Sequence, residues 1–267
     1  MTVVTDNKVL IKWIGMAEFK SWHSYWDYER SIRSDNRYIY SSDIQEFLDT
    51  VLDTSKNRWK KISKNTSLWR AQIGCQEPFG GHGDSAPLPF ERMKPRDDQA
   101  VEGRANPKGI PYLYLADDKN TAMAEVRPWK GQKISLGEFR VIKKLQVVEF
   151  SRNQDEYPIF LGEPPPKERE QSVWFWMDNA FSRPTNASDD VADYAATQII
   201  AELFKNKGAD GIMYRSSLGI GHNIMLFDLK SAEIMNCAVY SLDMLHFEFT
   251  PEVPDFSKHW EKSDKLE

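Results

Sequence analysis

Arg70 and Glu125 are the two residues whose sequence surroundings first point to chemistry. Arg70 stands in the apolar segment Leu-Trp-Arg-Ala-Gln, and Glu125 lies between Ala-Met-Ala and Val126. Burial of a guanidinium or a carboxylate in such surroundings is costly unless an opposite charge or a ligand compensates it. The sequence therefore indicates one of two arrangements. Either the two side chains form a structural ion pair, or Arg70 binds a phosphate or carboxylate beside a carboxylate that takes part in a reaction.

A second arginine lies in a segment bounded by glycines, Gly103-Arg-Ala-Asn-Pro-Lys-Gly109. Glycines permit a close approach of the backbone to a ligand, and the fork of the Arg104 guanidinium suits phosphate oxygens. The spacing matches neither the G-x-G-x-x-G nor the Walker pattern, so it predicts neither of those nucleotide sites. The plainer alternative is a turn with an exposed arginine.

The segment from Tyr214 to Asn223 offers hydroxyl and amide groups on a predicted strand–turn–strand. Ser216, Ser217 and Asn223 are its candidates for ligand contact. The G-x-S-x-G pattern of a serine nucleophile does not occur in the sequence, so that chemistry is not indicated. His222 is a general-base candidate by residue type, although a single histidine in a turn is more often a surface residue.

Strands and helices are mixed along the part of the chain that carries these residues. Apolar runs predict strands at residues 112–116, 134–141, 144–150, 211–214 and 223–227. Helical spacing predicts helices at residues 121–125, 171–181 and from 188 to about 207. A long loop rich in glycine and proline spans residues 75–111. Because the two types of element do not alternate strictly, the predicted fold class is α+β.

Residues 1–65 are predicted to form a small helical extension. Apolar side chains recur at helical spacing from Trp13 to Trp22 and again from Ile44 to Val51, with Ser42 or Asp43 as the helix cap. We therefore divide the chain into a helical extension at residues 1–65, a main domain at 66–250 and a loosely ordered tail at 251–267.

Composition narrows the class of protein. The net charge is −5, and 40% of the residues are hydrophobic, so a folded domain is expected and a general nucleic-acid binder is not. Cys75 and Cys237 form no metal or redox motif, and no histidines or acids stand at ligand spacing, so no metal is expected. No export signal and no apolar run of the ~18 residues of a membrane span is apparent, which predicts a cytoplasmic protein without membrane contact.

Taken in order, these motifs resemble the RES domain, a family named for an Arg, a Glu and a Ser that its members share. The resemblance begins with Leu-Trp-Arg70 and Gly-Arg104 before Asn-Pro-x-Gly. Tyr114 follows ten positions after Arg104, and Glu125 follows eleven positions after Tyr114. The spacing continues with Gly-Ile-Met-Tyr-Arg-Ser216, so that the resemblance spans about two-thirds of the chain, roughly residues 67–248.

The last elements of the resemblance are this serine and the segment Asn223-Ile-Met-Leu-Phe. Ser216 fits the family serine better than Ser217, because the family pattern places the serine two residues after a tyrosine-like position in the strand, which is Tyr214 in this sequence. The resemblance assigns catalysis to Glu125, Arg70 and Ser216, and substrate binding to Arg104, Tyr114 and Asn223.

The resemblance implies a fold similar to ADP-ribosyltransferases and an enzyme that degrades NAD+. Glu125 would stabilise the oxocarbenium character of the ribose while the bond to nicotinamide breaks, and Arg70 and Arg104 would bind the diphosphate. Tyr114 would contact the nicotinamide or the ribose. Inorganic phosphate is the expected acceptor, which gives ADP-ribose 1″-phosphate. Water or a protein side chain would instead make the enzyme a glycohydrolase or an ADP-ribosyltransferase.

The resemblance also implies an antitoxin partner that covers the NAD+ site. Residues 1–65, the loop at 75–102 and the insert at 153–186 exceed a compact RES toxin, which puts the toxin–antitoxin context in doubt more than the chemistry. The N-terminal residues are alternatively a regulator or an element for homo-oligomer formation. A different class of function also fits, namely a non-catalytic module that senses a nucleotide.

Overall fold

The computed structural model describes residues 17–78, 83–96, 100–152, 158–183, 191–246 and 248. The strands are β1 (Trp59–Ile62), β2 (Ser67–Ile73), β3 (Leu113–Ala116), β4 (Lys133–Val141), β5 (Leu145–Glu149), β6 (Gly211–Arg215), β7 (His222–Leu226) and β8 (Ala232–Ser241). They form an 8-stranded sheet in the order β1-β5-β6-β7-β3-β2-β4-β8. Neighbouring strands are antiparallel, except that β5 and β6 are parallel.

The α-helices in the described ranges are α1 (Ser24–Ser34), α2 (Ser42–Thr54), α3 (Lys119–Glu125), α4 (Pro166–Ser182) and α5 (Ala195–Asn206). Helices and a mixed sheet within one chain confirm the predicted α+β class. The strands expected near residues 112, 134, 144, 211 and 223 are all present, whereas the sequence patterns predict neither β2 nor β8. The proposed tail at 251–267, like the helix start expected at Ser188, lies outside the described residues.

The N-terminal helices are part of the main hydrophobic core. Tyr28 in α1 and Phe47 in α2 stack with ring centroids 4.5 Å apart, and both belong to the buried cluster that α4 and α5 share. Ser41 caps α2 by accepting a hydrogen bond from the backbone N–H of Ile44, one residue earlier than the predicted cap. Residues 1–16 of the predicted extension are outside the described ranges.

The end of the predicted helical region is a strand, so the helical prediction is wrong for residues 59–62. β1 pairs with β5 over four residues and extends the sheet at one edge. Its local pattern, Trp-Lys-Lys-Ile, is too short to indicate a strand, and pairing with β5 decides the conformation. Arg58 reinforces this edge, because its guanidinium lies 4.3 Å from the Trp174 ring and donates to the Phe150 carbonyl.

The two faces of the sheet bury different clusters. One face, with Ile212 and Met225, packs against the helices α1, α2, α4 and α5. The opposite face buries Leu68 and Phe139 beneath Met93 of the long loop. The short helix α3 covers a third, smaller cluster that includes Ala71 and Ala122. The strand ends near α3 are therefore held from several sides, as a site built on them requires.

Candidate active site

Glu125 is the last residue of α3, and two side chains hold its carboxylate. Ser216 Oγ donates to Glu125 Oε1 at 2.6 Å, and Asn223 Nδ2 donates to the same oxygen at 2.7 Å. Ser216 follows β6 and Asn223 lies in β7, so one hairpin presents both donors to the end of α3. Both bonds use Oε1, and no described residue donates to Oε2, which leaves that oxygen available to a ligand.

The Glu125 side chain is exposed, whereas the sequence predicts an apolar, interior position for it. The difference arises because α3 ends at this residue and Pro128 follows, so the carboxylate reaches the rim of the structure rather than its core. Asn223 beneath it is buried. The carboxylate thus has a buried support on one side and solvent access on the other.

The hydroxyl of Ser216 is oriented by the turn in which it lies. It accepts hydrogen bonds from the backbone N–H groups of Leu218 at 3.1 Å and Gly219 at 2.9 Å, so its own hydrogen is directed to Glu125. Ser217 turns away and donates to the Ser182 carbonyl at 2.8 Å. Of the two serines that the sequence offers, the structure brings Ser216 to Glu125.

Two contacts fix this hairpin to its surroundings. At one end, the buried Asp178 of α4 accepts hydrogen bonds from the backbone N–H of Arg215 at 3.1 Å and from its Nε at 2.6 Å. Burial raises the pKa of Asp178, although the hydrogen bonds and charge of Arg215 oppose this effect. At the turn, Gly221 donates to Thr121 Oγ1, and a Cβ atom at position 221 would lie 2.5 Å from Asp117 Oδ1. Only glycine permits this close approach.

His222 supports the same turn. Its backbone N–H donates to Asp117 Oδ1 at 2.7 Å, and its ring Nδ1 lies 3.1 Å from Asp117 Oδ2. Burial alone would raise the pKa of Asp117, but the hydrogen bonds and charge of His222 hold it below its ordinary value. His222 therefore joins β7 to the segment before α3, and these contacts give it a positioning role.

Glu125 lies at a cavity of about 180 Å³. The other functional candidates along its wall are Arg70, Tyr114 and Asn223, joined by Trp69 and Tyr214. Pockets for drug-sized ligands usually measure about 300–1,000 Å³, so this cavity suits one ring of a larger ligand. A neighbouring cavity of about 520 Å³ shares Arg70 and Tyr114 as a common wall.

Arg70 occupies a gap in the sheet. β2 and β3 are paired at Trp69 and Ala116 alone, and beyond this point Arg70 Nη1 donates to the Tyr114 carbonyl at 3.0 Å. Its Nε is buried without a hydrogen-bond partner, and burial lowers the pKa of the guanidinium. Within the described part of the chain no carboxylate pairs with Arg70, so the alternative of an Arg70–Glu125 ion pair is not formed.

Tyr114 lines both cavities, but its hydroxyl is already bonded. It donates to Asn106 Oδ1 at 2.7 Å, and burial raises the pKa of the phenol. Asn106 is buried and is fixed in turn by donating to the Val101 carbonyl at 2.9 Å. The ring of Tyr114 is therefore the part available to a ligand, and Asn106 fixes its position.

Arg104 does not join the other candidates at the cavity wall. Its guanidinium lies 5.2 Å from the ring of Tyr194 and donates to the Ala180 carbonyl at 3.5 Å. Its own carbonyl accepts a hydrogen bond from Thr197 Oγ1 in α5. The glycine-bounded segment is thus attached to α4 and α5 through Arg104.

Three further residues line or support the site, Trp69, Asn106 and Tyr214; each lies in a segment that the sequence singles out, but the sequence assigns none of them a role. Tyr214 faces Asn223 across the hairpin, and burial raises the pKa of its hydroxyl well above the ordinary value. Strand alternation could have identified it, because a residue paired with Asn223 points to the same side of the sheet. Asn106 lies in the Asn-Pro-x-Gly segment, but its position in the sequence does not show that its side chain accepts a hydrogen bond from Tyr114 in the following strand.

Metal and membrane features are absent from the part of the chain that the structure describes. It contains no group of three or more His, Cys, Asp or Glu side chains able to hold a metal ion. No helix there has the length and apolar character needed to cross a bilayer.

Comparisons with known proteins give a family match and a similar solved structure. No curated protein matches the chain. Among solved structures, the Mycobacterium tuberculosis MbcT-MbcA toxin-antitoxin complex contains a similar chain, with 16% identity over 72% of this chain and 92% of that one, and a TM-score of 0.39. The model of the RES domain family matches residues 67–250, which include every residue of the cavity described above. The protein therefore belongs to the RES domain family.

Proposed function

We propose that this protein cleaves the bond between nicotinamide and ribose in NAD+. The observation that carries the proposal is the Glu125 carboxylate, which two side-chain donors hold at the rim of a ring-sized cavity beside Arg70. An anion in this position suits a reaction in which positive charge develops on a sugar carbon. Membership of the RES family supports NAD+ as the substrate, because family toxins degrade it.

In the proposed reaction, the bond between C1″ of the ribose and the nicotinamide nitrogen breaks, and nicotinamide leaves with the electron pair. The oxocarbenium character that remains on the ribose is stabilised by Glu125, which Ser216 and Asn223 keep in a fixed orientation. The rings of Tyr114 and Trp69 offer flat apolar walls for nicotinamide.

Arg70 is the proposed contact for the diphosphate of NAD+. Its guanidinium lies between the cavity at Glu125 and the larger cavity next to it, and its buried Nε has no protein acceptor. A phosphate oxygen would supply that acceptor and compensate the buried charge. Arg104, which the resemblance also assigns to the diphosphate, is proposed instead to hold its segment against α4 and α5.

Inorganic phosphate is the proposed acceptor, by analogy with the family. One of its oxygens would form the new bond to C1″, giving ADP-ribose 1″-phosphate and free nicotinamide. We further propose that the protein is a cytoplasmic toxin restrained by an antitoxin that covers the NAD+ site. Water or a protein side chain as acceptor would leave the role of Glu125 unchanged.

Product analysis tests the proposal directly. Purified protein is incubated with NAD+ with and without inorganic phosphate, and the products are identified by mass spectrometry. Nicotinamide release that requires phosphate, together with ADP-ribose phosphate, is the expected result. Equal nicotinamide release without phosphate would instead indicate a hydrolase or a transferase. Absence of release together with NAD+ binding would instead favour the non-catalytic module.

A further inference from the structure

β8 forms one edge of the sheet, and no described strand pairs with its outer side. It pairs with β4 along its length, and β4 connects it to the rest of the sheet through β2. The strand has 10 residues, and most of their side chains are exposed. An unpaired edge of this length presents a row of backbone N–H and C=O groups that another strand can join.

The opposite edge of the sheet, β1, carries protection against such joining that β8 lacks. β1 has 4 residues, and two of them are Lys60 and Lys61. Short strands, lysine and proline are usual means by which an edge avoids pairing with another chain. β8 contains neither lysine nor proline, and Glu233 near its start is its one charged residue. The register with β4 skips Met235, and such a bulge also protects an edge, but residues 236–241 beyond it pair regularly.

The pairing with β4 determines which backbone groups of β8 face outward. Leu242 donates to one carbonyl and accepts from one N–H of residues 131–132, at 3.2 and 2.9 Å, so both of its backbone groups point to the β4 side. Because the direction of hydrogen bonding alternates along an antiparallel strand, the backbone groups of Cys237, Val239 and Ser241 point away from β4. Each of these three residues offers an N–H and a C=O at the open edge.

We propose that β8 pairs antiparallel with β8 of a second copy of this chain, so that the two sheets become continuous. The register that engages all three outward residues places Val239 opposite Val239 of the second copy, and Cys237 opposite Ser241 of that copy. A twofold axis then passes through Val239, and the same backbone groups serve as donors and acceptors in both chains.

Charge favours a second copy over a charged partner. The chain has a net charge of −5, so two copies repel each other on average. Residues 234–241 carry no charge, which allows two copies to approach closely along this segment. The same segment offers no opposite charge that would attract a strongly charged strand of another protein.

The side chains also fit each other at this register. Tyr240 would lie opposite Ala238 of the second copy, so that a large residue meets a small one on the same face of the sheet. Met235, Tyr240 and Met244 are exposed apolar side chains along β8 or just beyond it. Pairing would cover part of this apolar surface, which otherwise faces water.

Light scattering at increasing protein concentration tests the pairing. The unmodified protein should approach twice the 31.0 kDa mass of one chain. Val239→Pro removes an N–H that β4 does not use, so this variant should fold and remain a monomer. Ala238→Lys adds a charge next to the twofold axis and should also remain a monomer, which keeps the test decisive if the proline variant fails to fold.

The matched control is Lys61→Pro at the other edge of the sheet. Glu149 donates its backbone N–H to the Arg58 carbonyl, so alternation along β1 turns the Lys61 N–H away from β5. This variant should therefore fold and still form the dimer. β8 contributes no residue to the cavity at Glu125, so the outcome does not depend on the proposed function.

Disulfide cross-linking tests the register. With Cys75 and Cys237 replaced by serine, Val239→Cys should join two chains on oxidation, because the Cα atoms of such an opposed pair lie about 5.5 Å apart, within disulfide reach. Glu233→Cys in the same background lies far from the axis and should not join them. A chain that stays monomeric at millimolar concentration would overturn the proposal and leave the edge to another partner. A dimer that survives both Val239→Pro and Ala238→Lys, or equal cross-linking of the two cysteine variants, would overturn it as well.

Discussion

Replacement of Glu125 by glutamine separates the charge of this residue from its shape. A glutamine Oε1 can still accept the hydrogen bonds from Ser216 and Asn223, which measure 2.6 and 2.7 Å in the carboxylate. The variant loses the charge-assisted part of two bonds at a solvent-exposed site, which costs at most about 1 kcal/mol. In a chain of this size that lowers Tm by about 2–4 °C, so the fold should persist.

The effect on turnover should be far larger than the effect on stability. Removal of one group that stabilises transition-state charge typically lowers kcat by about 100- to 1,000-fold, or about 2.7–4 kcal/mol. We therefore expect nicotinamide release by Glu125→Gln to fall by that factor while NAD+ binding is retained. Nicotinamide is measured by chromatography under single-turnover conditions, and NAD+ affinity is measured by titration.

Glu138 provides a matched control within the same sheet. It also accepts hydrogen bonds from a serine and an asparagine, Ser67 and Asn236, each at 2.7 Å, but it does not line the cavity at Glu125. Because Ser67 and Asn236 donate to different oxygens, a glutamine at position 138 keeps only one of these bonds, so Glu138→Gln should lose at least as much stability as Glu125→Gln and still keep its activity. Retention of activity by Glu125→Gln, or an equal loss in both variants, would refute the assignment of Glu125.

Three further perturbations follow from the site. Ser216→Ala should lower turnover about tenfold, since it removes a hydrogen bond worth about 1.5 kcal/mol, whereas Ser217→Ala should leave turnover unchanged; equal effects would refute the choice of serine. The pKa of Asp117 is lower in the folded protein than its ordinary value of about 3.9, so its ionised carboxylate stabilises the fold above that pH, and this stabilisation is lost as the pH falls through the folded pKa. Asp117→Asn should therefore show a smaller loss of Tm between pH 7 and pH 3 than the unmodified protein, and equal losses would contradict this. Asp178→Ala removes the buried acceptor of the Arg215 backbone N–H and of its Nε, and because the Arg215 side chain is partly exposed we expect a cost of about 2 kcal/mol, or about 4–8 °C in Tm by calorimetry; an unchanged Tm would show that the hairpin does not depend on this pair.

Local patterns in the sequence predict most elements around the site, but they do not predict the strands β2 and β8 of the sheet. α3 and the strands at residues 113, 133, 145, 211 and 222 carry clear apolar periodicity. β8 does not, because it is an edge strand with mostly exposed side chains, and its conformation depends on pairing with β4. β2 contains Arg70 and Gln72 between apolar residues, so its alternation is obscured by the functional arginine itself.

The candidate site shows the same division between local and long-range information. Residue identity and spacing indicate Arg70, Tyr114, Glu125, Ser216 and Asn223, all of which the structure places at or beside one cavity. Arg104, the remaining candidate, does not line this cavity, and its sequence neighbours are also compatible with a phosphate contact. Its packing against α4 and α5 is determined by tertiary contacts across more than 70 residues of chain.

Arg70 also shows why its apolar sequence neighbours left two interpretations open. An ion pair and a ligand contact both require a guanidinium near the interior, so composition does not separate them. The sheet does separate them, because β2 and β3 diverge after Trp69 and Ala116 and no described carboxylate enters the gap between them. A buried guanidinium nitrogen without an acceptor costs free energy in the unliganded fold. Binding of an anion at the wall that the cavity at Glu125 shares with its larger neighbour would recover that cost.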